Sequence, residues 1–290
     1  MLDVAAAADN PHAIRDFSLR AFVFLSALLI AGVFSWLLAD ILWHGIGRID
    51  WAFLTTPPKS AGRAGGIAPI IVSTLLILLV AMVVAVPLGL ATAVLLSEYT
   101  RQGGAKVRAV GLSLDVLAGV PSIVFGLFGN AFFCVWLGLG FSILSGGLTL
   151  ACMILPILIR TIESGLRMVP DEWRLGGAAL GISRSTIIRH VLIPVALPAL
   201  VAGLMLGIGR AMAETAALIF TSGYVDRMPG SLFDSGRAIS VHIYDLTMNV
   251  AGGDKSAYAS ALVLIVLLIA INSAAMWLAN RALTRKVTAS

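Results

Sequence analysis

Residues 169–194 read VPDEWRLGGAALGISRSTIIRHVLIP, and the fold follows from what this polar island interrupts. Leu175 to Leu180 (LGGAAL) is small and helix-compatible. Gly181 breaks it, ISRSTIIRH follows as a short basic helix, and Ile193-Pro194 restarts an apolar run. Long apolar segments lie on both sides. A helix, a glycine turn and a basic helix set flush against a bilayer form a surface suited to docking on a cytosolic partner. On the residues alone, a plain cytoplasmic loop whose positive charge serves topology remains the alternative.

Outward from the island the chain is oily. Of its 290 residues 59% are hydrophobic and 12% charged, against about 25% charged in soluble domains. The apolar runs are continuous and exceed the roughly 10-residue alternating strands of a membrane barrel. Basic residues outnumber acidic ones, 20 to 15, yet no basic cluster interleaved with aromatics supports nucleic-acid binding. Cys134 and Cys152 fall inside apolar runs, which argues against a disulfide framework or metal site.

Six spans are expected in an all-α membrane protein: Leu19 to about Leu42, Ile67 to Leu96, Val110 to Trp136, Ile143 to Leu166, Val191 to Thr221 and Tyr258 to Ala279. The first is too long for a signal-peptide core and lacks a convincing cleavage site, so it reads as a retained helix. Pro87 and Gly89 are expected to kink the second. Arg48, Lys59, Arg63, Arg227, Arg237 and Lys255 fall on outer loops, and about twice as many Lys/Arg fall on inner segments. That bias gives both termini inside and puts residues 169–194 in the cytosol. Residues 1–66 form a tail, the first span and an outer loop; 67–279 the core; 280–290 a cytosolic tail. The setting is that of a multi-pass membrane protein.

Enzyme signatures are missing. AGGDKSA (251–257) lacks the contiguous Gly-Lys-Ser/Thr of a phosphate loop, and the glycine pairs lack a dinucleotide pattern. His12, His44, His190 and His242 are scattered over both sides, so no metal or other cofactor is expected, and any ATP with its Mg must be used by another chain.

The informative polar residues lie in the spans. GLMLGIGRAMAETAAL (203–218) places Arg210 and Glu214 at i and i+4. A charge in the bilayer costs on the order of 3 kcal/mol or more, so it faces the bundle interior or a wet path. Arg160, with Glu163 nearby, supplies a second guanidinium, and paired arginines suit a tetrahedral oxyanion. A self-neutralised Arg210–Glu214 structural pair is the competing reading. Gly119, Pro121 and Ser122 should break the third span, leaving backbone N–H groups able to hold an anion; a packing kink would look the same. Asp115, one turn earlier, is expected at the cytosolic interface.

The island resembles the Glu-Ala-Ala loop of ABC-importer permeases, with Gly181 as its glycine and Val191-Leu192-Ile193-Pro194 as its closing element. It departs at the front, where Leu175, Gly176 and Gly177 stand in place of Glu-Ala-Ala, followed by Ala178. Glu172, one turn before Leu175, is a candidate substitute for the carboxylate. GVPSIVFGLFG, GIGRAMAETAAL and the outer TSGYVDRMPGSLFDSGRAISVHIYDL together resemble the PstA type of phosphate-specific ABC-importer permease, from about Phe53 onward. The resemblance implies half of an inorganic phosphate path through Arg210, Glu214 and Arg160. It also implies an ATPase-coupling segment at Glu172, Leu175, Gly176, Gly177, Ala178, Gly181 and Pro194. The partners it implies are a PstC-type permease in a heterodimer, a PstB-type ATPase dimer and a periplasmic PstS phosphate-binding protein. Another oxyanion, sulfate or molybdate, is the nearest rival cargo, and a proton-coupled secondary transporter using Glu214 is the rival from another class.

Overall fold

The computed structural model describes residues 11–100 and 104–287, so Arg101 and residues 288–290 lie outside the described residues. Helix α1 (Pro11–Gly45) is apolar all round and almost wholly exposed; Phe24, Trp36 and Trp43 point outward. Such a helix belongs in lipid. It packs on the last long helix, and its window passes as a candidate membrane span. A short helix (Trp51–Thr55), capped by the Asp50 carboxylate accepting from Phe53 N–H at 2.6 Å, leads into strands β1 (Pro58–Lys59) and β2 (Ala64–Gly65). These pair antiparallel, a small exception to the all-helical expectation.

Helix α2 (Ala68–Val94) runs on through one π turn, Leu95–Tyr99, and Pro87 lies inside it without ending it. Helix α3 (Ala105–Gly119) and helix α4 (Ser122–Gly129), the latter extended by a π segment Asn130–Trp136, are bent by 100° at Val120-Pro121. Helix α5 (Ile143–Arg167) is the axis of the bundle. Its Leu150, Ile154, Leu158, Ile162 and Leu166 recur at helical spacing and are all buried, against Ile77, Ala81 and Ala85 of α2. The two helices approach so closely that a Cβ at Gly147 would stand 2.6 Å from that of Val80. The first turn of α5 is satisfied from outside the helix. Ser142 Oγ accepts from Ser145 N–H, and the carbonyls of Asp234 and Leu232 accept from Ile143 and Leu144 N–H, both at 2.9 Å.

Helices α6 (Asp171–Ala179) and α7 (Arg184–Ile187) form the polar island; a π turn, Ile188–Leu192, and Ile193–Val195 lead on. A 66° bend precedes α8 (Leu197–Met212). The expected fifth span, about Val191 to Thr221, is thus bent near Ala196 and its helix ends at Met212. Pro194 and Pro198 sit at the starts of short and long helices, where a missing N–H costs nothing. Beyond Met212 the chain leaves the helix at Ala213 and resumes as Ala216–Ile219. Helix α9 (Ile239–Met248) follows, its first N–H donated by Ile239 to Thr74 Oγ1. Helix α10 (Asp254–Val287) starts four residues before the expected Tyr258. Among the described residues four helices are long and apolar enough to cross a membrane, or up to six if each bent pair is one span.

Candidate functional site

The elbow at Gly181 is built from backbone first. Gly181 has φ +70°, the left-handed region that favours glycine. Gly181 N–H donates to Ala178 C=O and Ile182 N–H to Gly177 C=O, the paired bonds of a Schellman ending. Ser183 then caps α7 through Thr186 N–H. The two helices meet where Gly177 faces Ile187: a Cβ there would lie 2.7 Å from Ile187 Cδ1. Among the described residues α6 has none buried, and Trp173, Leu175 (69% exposed) and Leu180 (79% exposed) face outward. Gly176 and Ala178 are exposed beside them, and Pro194 is half-buried at the island's exit.

Glu172 is exposed in the first turn of α6. A buried carboxylate does lie against α6: Glu98, 4% exposed, in the π turn ending the second span. Arg174 donates Nε–H to Glu98 Oε2 (3.1 Å) and Nη2–H to Oε1 (2.8 Å). Its remaining donors reach Leu166 C=O (2.9 Å), Val169 C=O (2.7 Å) and Asp171 Oδ1 (3.1 Å). Arg184 lies over the ring of Tyr99 at 5.0 Å, a further tie between the same two segments. Sequence reasoning missed Glu98 because its partner is 76 residues away. The available signal was a lone carboxylate at the inner end of a long apolar helix, where a charge needs a partner.

The three arginine-path residues fall into two groups. Arg160 donates to Asp115 Oδ1 (2.7 Å), to Gly111 C=O (2.8 Å) and, more weakly, to Glu163 Oε2 (3.5 Å). Asp115 thus pairs with Arg160 across helices, which the sequence reading did not foresee. Glu163, buried, also accepts from Arg167 Nη2–H at 2.7 Å and Nε–H at 3.1 Å. These side chains and Arg108 border an open cavity of about 520 Å³.

Arg210 stands apart, near the end of α8. Its side chain is 47% exposed, and its Nη2 lies 3.9 Å from Glu214 Oε2, beyond hydrogen-bond range. Glu214 is not on the face of a continuous helix, as the i, i+4 spacing suggested; it lies past the helix end, buried, and its Oε1 accepts from Ala217 N–H at 3.2 Å. The carboxylate caps the next short helix, and its own carbonyl accepts from Ser240 Oγ at 2.6 Å. Among the described residues Arg210 makes no hydrogen bond, and this carboxylate is its nearest charged partner. The Gly119–Pro121–Ser122 break turns α4 against this same region: α4 packs on Ala216–Ile219, and Asn130 Nδ2 donates to Phe220 C=O at 2.8 Å.

Comparison with known proteins bears on this arrangement. The chain is 31% identical to a "Probable ABC transporter permease protein YqgI" of Bacillus subtilis (strain 168), over 92% of this chain and 95% of that protein. It is 37% identical to a "Phosphate transport system permease protein PstA" of Mycobacterium leprae (strain TN), over 87% of this chain and 84% of the relative. The fold is similar to that of a chain in the crystal structure of a bacterial alginate ABC transporter in complex with alginate pentasaccharide-bound periplasmic protein. That match has a TM-score of 0.67 at 13% identity, over 93% of this chain and 96% of that one. The family model of the binding-protein-dependent transport system inner membrane component matches residues 85–288. With the helical bundle, the bent spans and the exposed elbow in place, the chain belongs to that family: it is a multi-pass inner-membrane permease component of a bacterial ABC importer, and not itself an enzyme.

Proposed function

We propose that the chain is one permease subunit of an ATP-driven importer of inorganic phosphate, lining half of the translocation path. The supporting observation is Arg210. It is a guanidinium in a span rich in glycine and alanine, half exposed on the isolated chain, and its neighbouring carboxylate is already committed to Ala217 N–H. A permanently charged fork with open donors, facing a second permease, suits a tetrahedral oxyanion passing through a wet seam. The similarity to the permease named for phosphate transport selects phosphate among such anions. Arg160 and its acidic partners stand at the inner part of the path, where a neutralised cluster lets the anion leave.

ABC importers of this family work with a separate ATPase and a binding protein. Here these are a PstB-type ATPase dimer docked on the Val169–Pro194 elbow and a periplasmic PstS-type protein, with a PstC-type permease completing the path. ATP closure pushes the elbow and alternates access between the two sides.

The test is uptake of labelled phosphate into proteoliposomes holding both permeases and the ATPase, with the binding protein supplied on the outer face. Uptake that needs ATP and survives excess sulfate and molybdate is expected. Uptake that follows sulfate or molybdate would reassign the cargo, and uptake that ignores ATP but collapses with an uncoupler would refute the mechanism.

A further inference from the structure

We infer that Glu98 and Arg174 are positioning residues for transport, a strut through which displacement of the elbow helix α6 moves the second and fourth spans. The inference rests on the reading of residues 169–194 as the surface that receives the ATPase.

Helix α6 has no buried residue, so packing alone gives it little hold on the membrane bundle. What ties it there is Arg174. All five guanidinium N–H groups are engaged: two on the Glu98 carboxylate, one each on the Leu166 and Val169 carbonyls, one on Asp171. Those partners belong to three segments: the π turn that ends the span containing α2, the last turn of α5 with the residues just after it, and α6 itself. At the end of α5 the Leu166 carbonyl, which already accepts from Val169 N–H at 3.3 Å, takes a second donor from the guanidinium, and the Val169 carbonyl just past the helix takes another. Glu98 is 3% exposed at its side chain and Arg174 23%, so the forked pair is shielded from water and salt, unlike a surface bridge. A planar fork fixed at both nitrogen edges transmits a translation or a tilt, whereas a lysine at the same place would pivot. The spans it grips, α2 and α5, are the two that make the core.

Glu98→Gln keeps the shape and removes the charge. Glu98→Leu with Arg174→Met replaces the pair by apolar side chains of similar size, a change that buried ion pairs often tolerate without loss of stability. Both variants go into the full complex in proteoliposomes, and ATP hydrolysed, phosphate taken up and ATPase retained on the permease are measured together. The expected result is retained ATPase and hydrolysis, with phosphate moved per ATP falling about tenfold, the loss expected when a charge-assisted contact no longer favours one arrangement. An unchanged ratio overturns the strut. So does loss of the ATPase from both variants, which would make the pair a support for docking instead. Leu175→Glu, on the exposed face of α6, is run alongside. If it lowers the ratio or sheds the ATPase while Glu98→Gln does neither, only the strut falls; if it too changes nothing, the elbow reading falls.

Discussion

Replacing Gly181 by asparagine, alanine and proline grades the strain on the elbow without adding a steric contact, because a Cβ there meets nothing within 4 Å. The cost is therefore backbone alone. At φ +70° asparagine is tolerated, and alanine costs about 1–2 kcal/mol for the crowding of its Cβ against the backbone. Proline is held near φ −65° and cannot adopt the observed angle. It also removes the N–H that Gly181 donates to Ala178 C=O at 3.0 Å, so about 3 kcal/mol or more is expected. On a loop with no buried residue in α6, that strain relaxes by letting the α6–α7 angle open, and the global fold is spared. A difference of 1–2 kcal/mol shifts the closed elbow population by about 5- to 30-fold. Phosphate moved per ATP should then fall in the order glycine, asparagine, alanine, proline, while thermal unfolding of the purified complex shifts little. The assay is simultaneous phosphate uptake and ATP hydrolysis in proteoliposomes. Equal ratios for glycine and proline would refute the claim that the elbow's angle carries the stroke.

Arg210→Ala should abolish phosphate uptake while the complex still assembles, because among the described residues the side chain makes no hydrogen bond; Arg210→Lys should retain a part. His242 is buried against Arg237, and desolvation, with the nearby Arg237 adding and Asp245 opposing, lowers its pKa from 6.5 to about 4. Its neutral form is the one that folds, so stability is full above pH 6.5 and falls as pH drops from 6.5 to 4, by up to about 3 kcal/mol. Melting in nanodiscs across that range should show the slope, and His242→Gln should flatten it. Gly147→Ala should lower the melting temperature strongly, because its Cβ would press on Val80 between the two most buried helices; an unchanged melt would mean that α2 and α5 separate at little cost.

What the sequence made legible was whatever depends on neighbours along the chain. The spans follow from runs of apolar residues, the elbow from one glycine, and the 100° break from Gly119 and Pro121, because hydropathy and backbone freedom are local. The pair read as i, i+4 failed for an instructive reason. Spacing places two residues on one face only while the helix lasts; here the helix ends at Met212, and the Glu214 carboxylate beyond it accepts from Ala217 N–H. The carboxylate that meets the elbow was hidden for the opposite reason. It is Glu98, 76 residues away from the guanidinium in the elbow helix that holds it. Both errors reduce to one physical fact: a charge at a membrane boundary is placed by whichever buried group it neutralises, and sequence distance does not enter that balance. The same reasoning separates the two arginines that residue type alone had grouped. Arg160 is bonded to Asp115, Glu163 and a carbonyl, so it is held in place. Among the described residues Arg210 has one carboxylate near it, itself engaged elsewhere, which is why the proposed anion contact is placed at Arg210 and not at Arg160.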